Sequence, residues 1–81
     1  MQVSENELKK ILASVLQVDV TLINENTSPD TIEEWDSLKH LVLVLALEEK
    51  FDISFTEEQT VEILSYSLIK LVLAEHGVEF I

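Results

Sequence analysis

Leu8, Ile11, Leu12, Val15 and Leu16 recur at three- and four-residue spacing, which is the apolar stripe of an amphipathic helix. Ser4 followed by Glu7 supplies a capping box, so the pattern predicts a first helix from Ser4 to about Gln17. From Val18 to Asp36 no period is sustained, and Asn24, Asn26, Thr27, Ser28 and Pro29 interrupt the chain. This stretch reads as a loop, long for so small a domain, with Leu22, Ile23, Ile32 and Trp35 expected to pin it to the core. Periodicity returns at Ser37 and continues to about Phe51, with Leu38, Leu41, Val42 and Leu45 on one stripe and Val44, Leu47 and Phe51 on the next. A helix apolar nearly all round is expected at the centre of a bundle.

Thr56 with Gln59 forms a second capping box, opening a short third helix that runs to about Leu64 with Val61 and Ile63 as its apolar contacts. Ser65-Tyr66-Ser67 breaks the pattern, after which Leu68, Ile69, Val72 and Leu73 predict a fourth helix ending at Gly77, a C′ glycine. The expectation is one all-α domain over residues 1–81, a four-helix bundle with a long loop between its first two helices and a short third helix.

Composition narrows the functional classes. One Gly and one Pro leave too few turn residues for a hairpin-rich sheet, and the absence of Cys removes disulfides, thiolate nucleophiles and thiolate metal sites. The start of the chain has no basic or apolar signal-peptide region, and the longest apolar run falls far short of the ~20 residues of a membrane span. A cytoplasmic monomer is expected. The net charge of −11 repels nucleic acid and anionic membranes and favours basic partners. That charge is concentrated: residues 30–62 hold ten acids against Lys39 and Lys50, a local net of −8 surrounding Ser37.

Asp36-Ser37-Leu38 places one serine at a helix start, where its hydroxyl can cap an orphan backbone N–H and also stands within reach of a partner enzyme. A cap alone does not need the long loop before it, the acidic surround, or the Glu48-Glu49-Lys50-Phe51 helix end. From Leu8 to about Val72, this order of elements and motifs resembles the acyl carrier protein family. The resemblance implies a 4′-phosphopantetheine arm, transferred from coenzyme A to Ser37 by a phosphopantetheinyl transferase, with Asp36 and Leu38 flanking the attachment point. It implies a non-catalytic carrier that holds an acyl group as a thioester and presents it to acyl-loading and acyl-modifying enzymes. By the same resemblance Leu38, Lys39, Glu48 and Glu49 are the face that basic patches on those enzymes read. Leu47, Phe51, Phe55, Val61, Ile63 and Tyr66 are candidates for an apolar wall beside the acyl chain, and are equally readable as plain core.

Three residues depart from the housekeeping fatty-acid carriers. Trp35 stands where many have Gly, Lys39 where an acid is usual, and Tyr66 where a smaller apolar residue is common. They point to a dedicated fatty-acid, polyketide or related pathway. An aminoacyl carrier and an acidic helical adaptor without a prosthetic group remain as alternatives. A serine hydrolase built on Ser37 and His40, three residues apart, lacks a Gly-x-Ser-x-Gly elbow and an evident oxyanion hole. Two distant histidines, His40 and His76, do not make a zinc site, and no metal ligands are assigned.

Overall fold

The computed structural model describes residues 2–81. Its described residues form four α-helices: α1 (Glu5–Leu16), α2 (Ser37–Phe51), α3 (Glu57–Glu62) and α4 (Tyr66–Glu75). A feature that helical periodicity does not signal joins the ends of the chain. Strand β1 (Gln2–Val3) pairs in parallel with β2 (Glu79–Phe80), in the register Gln2↔Glu79 and Val3↔Phe80. Parallel strands need a long crossover, and here the whole helical body provides it.

Each helix boundary has a local cause. Ser4 Oγ accepts the Glu7 N–H at 3.3 Å to open α1, and at α3 both arms of the capping box form, between Thr56 and Gln59. Ser65, expected to belong to a break before the fourth helix, instead caps it: its Oγ accepts the Leu68 N–H at 3.1 Å. Tyr66 and Ser67 are therefore helical, and the Tyr66 N–H is satisfied by the Thr27 carbonyl at 2.9 Å. Polar residues that dilute an apolar period are the same types that cap, which is why they read as a break.

Gly77, at φ +90°, ends α4 with the Gly77 N–H on Ala74 O and the Val78 N–H on Leu73 O, both at 3.0 Å. That is the paired-bond Schellman ending, with buried Val78 as its apolar lid. Gln17 and Asp52 end α1 and α2 in the same left-handed region without being glycine.

The core is built from Leu8, Leu12 and Leu16 of α1, Leu43, Val44, Leu47 and Phe51 of α2, and Ile69, Val72 and Leu73 of α4, closed by Ile63 and Trp35. Three expectations about burial need correction. Leu22 does not pin the loop, being exposed; Ile23, Ile32 and Trp35 do, together with buried Thr27. Thr27 Oγ1 accepts the Asn24 N–H at 2.8 Å and donates to Leu22 O at 3.1 Å, so its burial leaves no polar atom unpaired.

The second correction concerns α2, whose stripe Leu38, Leu41, Val42 and Leu45 faces water rather than the bundle, with Leu38 at 68%, Leu41 at 57% and Leu45 at 58% exposure. Among the described residues no neighbour covers it, and α3 is only six residues long and buries none of them. Val61, expected as an apolar contact of α3, also points outward.

Candidate functional site

Ser37 is the first residue of α2, but it is not the cap. Asp36 holds extended backbone angles, its Oδ1 accepts the Lys39 N–H at 2.8 Å, and its carbonyl accepts the His40 N–H at 2.8 Å. A carboxylate one residue earlier takes the capping duty that a serine could have taken. The Ser37 hydroxyl is left exposed, with no hydrogen bond engaging it among the described residues. Its own backbone N–H and that of Leu38 belong to the first turn, where no intrahelical acceptor exists. The positive end of the helix dipole favours an anion there, and exposed Glu33, Glu34 and Asp36 oppose one.

Beside Ser37 lies a cleft of about 450 Å³ lined by Pro29, Trp35, Asp36, Ser37, His40 and Leu64. Trp35 is almost wholly buried although it stands two residues before the exposed serine. Its indole N–H donates to His40 Nδ1 at 3.1 Å, and the two rings stack at 22° with centroids 6.1 Å apart. The other imidazole nitrogen, Nε2, lies 2.7 Å from the Thr60 carbonyl oxygen of α3. An indole N–H can only donate and a carbonyl can only accept, so the ring is the neutral Nε2–H tautomer.

Both nitrogens of His40 are therefore committed away from Ser37. A serine–histidine pair for nucleophilic catalysis does not form.

The remaining candidates divide. Leu38 and Glu49 are exposed on α2, whereas Glu48 is half-buried and its Oε2 accepts the Phe55 N–H at 2.8 Å, tying the α2–α3 connection. Lys39 turns back to the end of α1, with Nζ 3.3 Å from Gln17 Oε1. Leu47, Phe51 and Ile63 lie in the sealed core, Phe55 is half-buried against the His76 ring, and Val61 is outside. His76 Nε2 also bonds Gln59 Oε1 at 3.0 Å, bracing α3 against the end of α4.

Tyr66 does not line the cleft beside Ser37. Its hydroxyl donates to Glu5 Oε1 at 3.1 Å, and Lys70 Nζ reaches Glu5 at 2.8 Å and Glu25 at 2.7 Å. Burial, and then the Glu5 carboxylate, push the phenol well above its ordinary value. Lys70 and the Tyr66 hydroxyl hold Glu5 below the usual carboxylate range, and the bonds to Glu25 and Glu5 raise Lys70. Among the described residues no three His, Asp or Glu side chains converge as a metal site, and no helix is long and apolar enough to cross a membrane.

Sequence reasoning placed Ser37 at the start of α2, as the structure does, and missed the Trp35–His40–Thr60 chain. The available signal was an aromatic and a histidine flanking the serine by two and three positions, but the partner on α3 is a backbone carbonyl and has no signature. No model of a known protein family matches the chain. It is 39% identical over 54 residues to a protein named acyl carrier protein from Chlamydia felis (strain Fe/C-56), an alignment spanning 67% of this chain and 69% of that protein.

Proposed function

The chain belongs to the acyl carrier protein family, and from that premise we propose that Ser37 is the attachment point of a 4′-phosphopantetheine arm on a monomeric, cytoplasmic carrier. The observation that carries this reading is the Ser37 hydroxyl itself, exposed at the first position of α2 and relieved of capping by Asp36. Attachment is a displacement at phosphorus. The bond from Ser37 Oγ to phosphorus forms, the diphosphate P–O bond of coenzyme A breaks, adenosine 3′,5′-bisphosphate leaves, and the hydroxyl proton passes to a base of the phosphopantetheinyl transferase. When bound, the arm supplies a terminal thiol that holds an acyl group as a thioester, a function the Cys-free chain lacks on its own.

The chain's own residues orient and present. Asp36 fixes the first turn of α2, so Ser37 is offered from a regular element, and the first-turn N–H groups that lack an intrahelical acceptor would favour the phosphodiester's negative charge. The exposed stripe Leu38, Leu41, Val42 and Leu45, bordered by acidic residues including Glu49, suits a partner with an apolar ridge and a basic rim. Lys39 interrupts that acidic border and disfavours basic patches built for an acid at its place. Together with Trp35 and Tyr66 it supports a dedicated biosynthetic pathway over bulk fatty-acid synthesis.

The test is intact mass after incubation with coenzyme A, Mg²⁺ and a broad-specificity transferase. A gain of one phosphopantetheinyl group is expected, and an unchanged mass contradicts the reading.

A further inference from the structure

Two hydrogen bonds in series, joined by the His40 imidazole of α2, cross from the long loop to α3 directly beside Ser37: the Trp35 indole N–H on His40 Nδ1 at 3.1 Å, and His40 Nε2–H on Thr60 O at 2.7 Å. On one side of this chain lies the open cleft of about 450 Å³ that Ser37 shares with Pro29 and Leu64. On the other lies packed core, where Leu47 and Ile63 have no exposed surface and Trp35 itself belongs to the cluster. None of the six residues of α3 is buried, and His40 ties that helix to α2 through the Thr60 carbonyl.

Resting on the reading of Ser37 as the attachment point, we propose that Trp35, His40 and the Thr60 carbonyl form a latch across the α2–α3 seam that confines the carried group to the outer cleft. His40 is the positioning residue. An apolar chain held in that cleft stays partly in water, so lengthening it gains little burial. The latch thus favours short or polar acyl groups over long saturated ones.

The experiment loads wild type, His40→Ala and His40→Gln with acetyl- or octanoyl-phosphopantetheine from the corresponding coenzyme A thioesters, with loading verified by intact mass. Side-chain NMR signals of Trp35 and Leu64 report the cleft, and those of Leu47 and Ile63 report the core. In wild type the octanoyl group shifts Trp35 and Leu64 alone, and the octanoyl and acetyl forms melt within about 3 °C of each other.

In His40→Ala the Leu47 and Ile63 signals move as well, and the octanoyl form melts about 10 °C above the acetyl form because several methylenes enter the core. His40→Gln, whose amide can still donate to Thr60 O, behaves as wild type. If His40→Ala does not fold, Trp35→Phe, which keeps a ring and removes the N–H, is read at Leu64 and Ile63 instead. Octanoyl-induced shifts at Leu47 and Ile63 in wild type, or their absence in the loaded variant that folds, overturn the latch while leaving Ser37 as the attachment point. Failure of any protein to load removes the attachment reading and the latch with it.

Discussion

The flank around Tyr66 and the flank around Ser37 solve opposite problems with the same few residue types. At Tyr66 a large aromatic is fully buried, its one polar atom is paired with Glu5, and Lys70 joins α4 to α1 and to the long loop through two carboxylates. At Ser37 the hydroxyl has no hydrogen-bond partner among the described residues, and Leu38, Leu41 and Leu45 of α2 face water. One flank spends its side chains on holding the domain together. The other leaves an apolar stripe exposed beside an unengaged hydroxyl, which is the surface proposed above for partners.

The contrast breaks most visibly in stability. Tyr66→Ala removes a buried ring and leaves Glu5 and Lys70 without their third partner, so it is expected to cost about 3–5 kcal/mol, enough to unfold much of a domain this small. Leu41→Ala or Leu45→Ala on the open flank is expected to stay within about 0.5 kcal/mol while slowing acyl transfer by partner enzymes. Urea titration of the variants, alongside turnover of the loaded protein, separates the two. An equal loss of stability on both flanks would mean that the α2 stripe is covered in solution.

The capping of α2 gives a smaller effect. Asp36→Ala should cost about 1 kcal/mol, whereas Ser37→Ala should leave the melting temperature nearly unchanged, since the capping oxygen stays. Asp52→Gly should stabilise by about 1 kcal/mol, because it relieves a left-handed non-glycine residue and removes an acid from the negative end of α2.

The pH dependence belongs to the sealed flank. Glu5 is held below its ordinary value, so its contribution is present above the unfolded carboxylate value of about 4.3 and is lost as pH falls through the lowered folded value. Tyr66 and Lys70 are both raised, so theirs is present below about pH 10 and is lost as pH rises past it. Glu5 and Lys70 are partly solvated, which limits their pair to about 1 kcal/mol or less. Glu5→Gln should therefore flatten the acid limb of a plot of melting temperature against pH. Flattening of the neutral region as well would point to groups outside this cluster.

Much of this contrast was legible in the sequence, and what was not has identifiable causes. The helices follow from apolar spacing and capping residues, and Gly77 and the Thr56–Gln59 box act where their types and offsets indicate. The bounds of α2 follow in the same way. The exposure of Leu38, Leu41, Val42 and Leu45 does not, because a period shows which residues share a face and not whether a neighbour covers it.

Asp36 and Ser37 compete for one cap, and only backbone angles decide between them. The tie of His40 to α3 runs to a carbonyl, which every residue possesses. The apolar ring of Tyr66 is visible in the sequence and reads there as acyl wall or as core; it is core here, and its hydroxyl bond to Glu5, sixty-one positions earlier, has no sequence signal.

The most direct test of the central claim is intact mass of wild type and Ser37→Ala after identical incubation with coenzyme A, Mg²⁺ and a broad-specificity transferase, with circular dichroism on both. The account predicts one phosphopantetheinyl group on wild type, none on Ser37→Ala, and superimposable helical spectra, because Asp36 and not Ser37 caps α2. The same mass gain on a folded Ser37→Ala would contradict it.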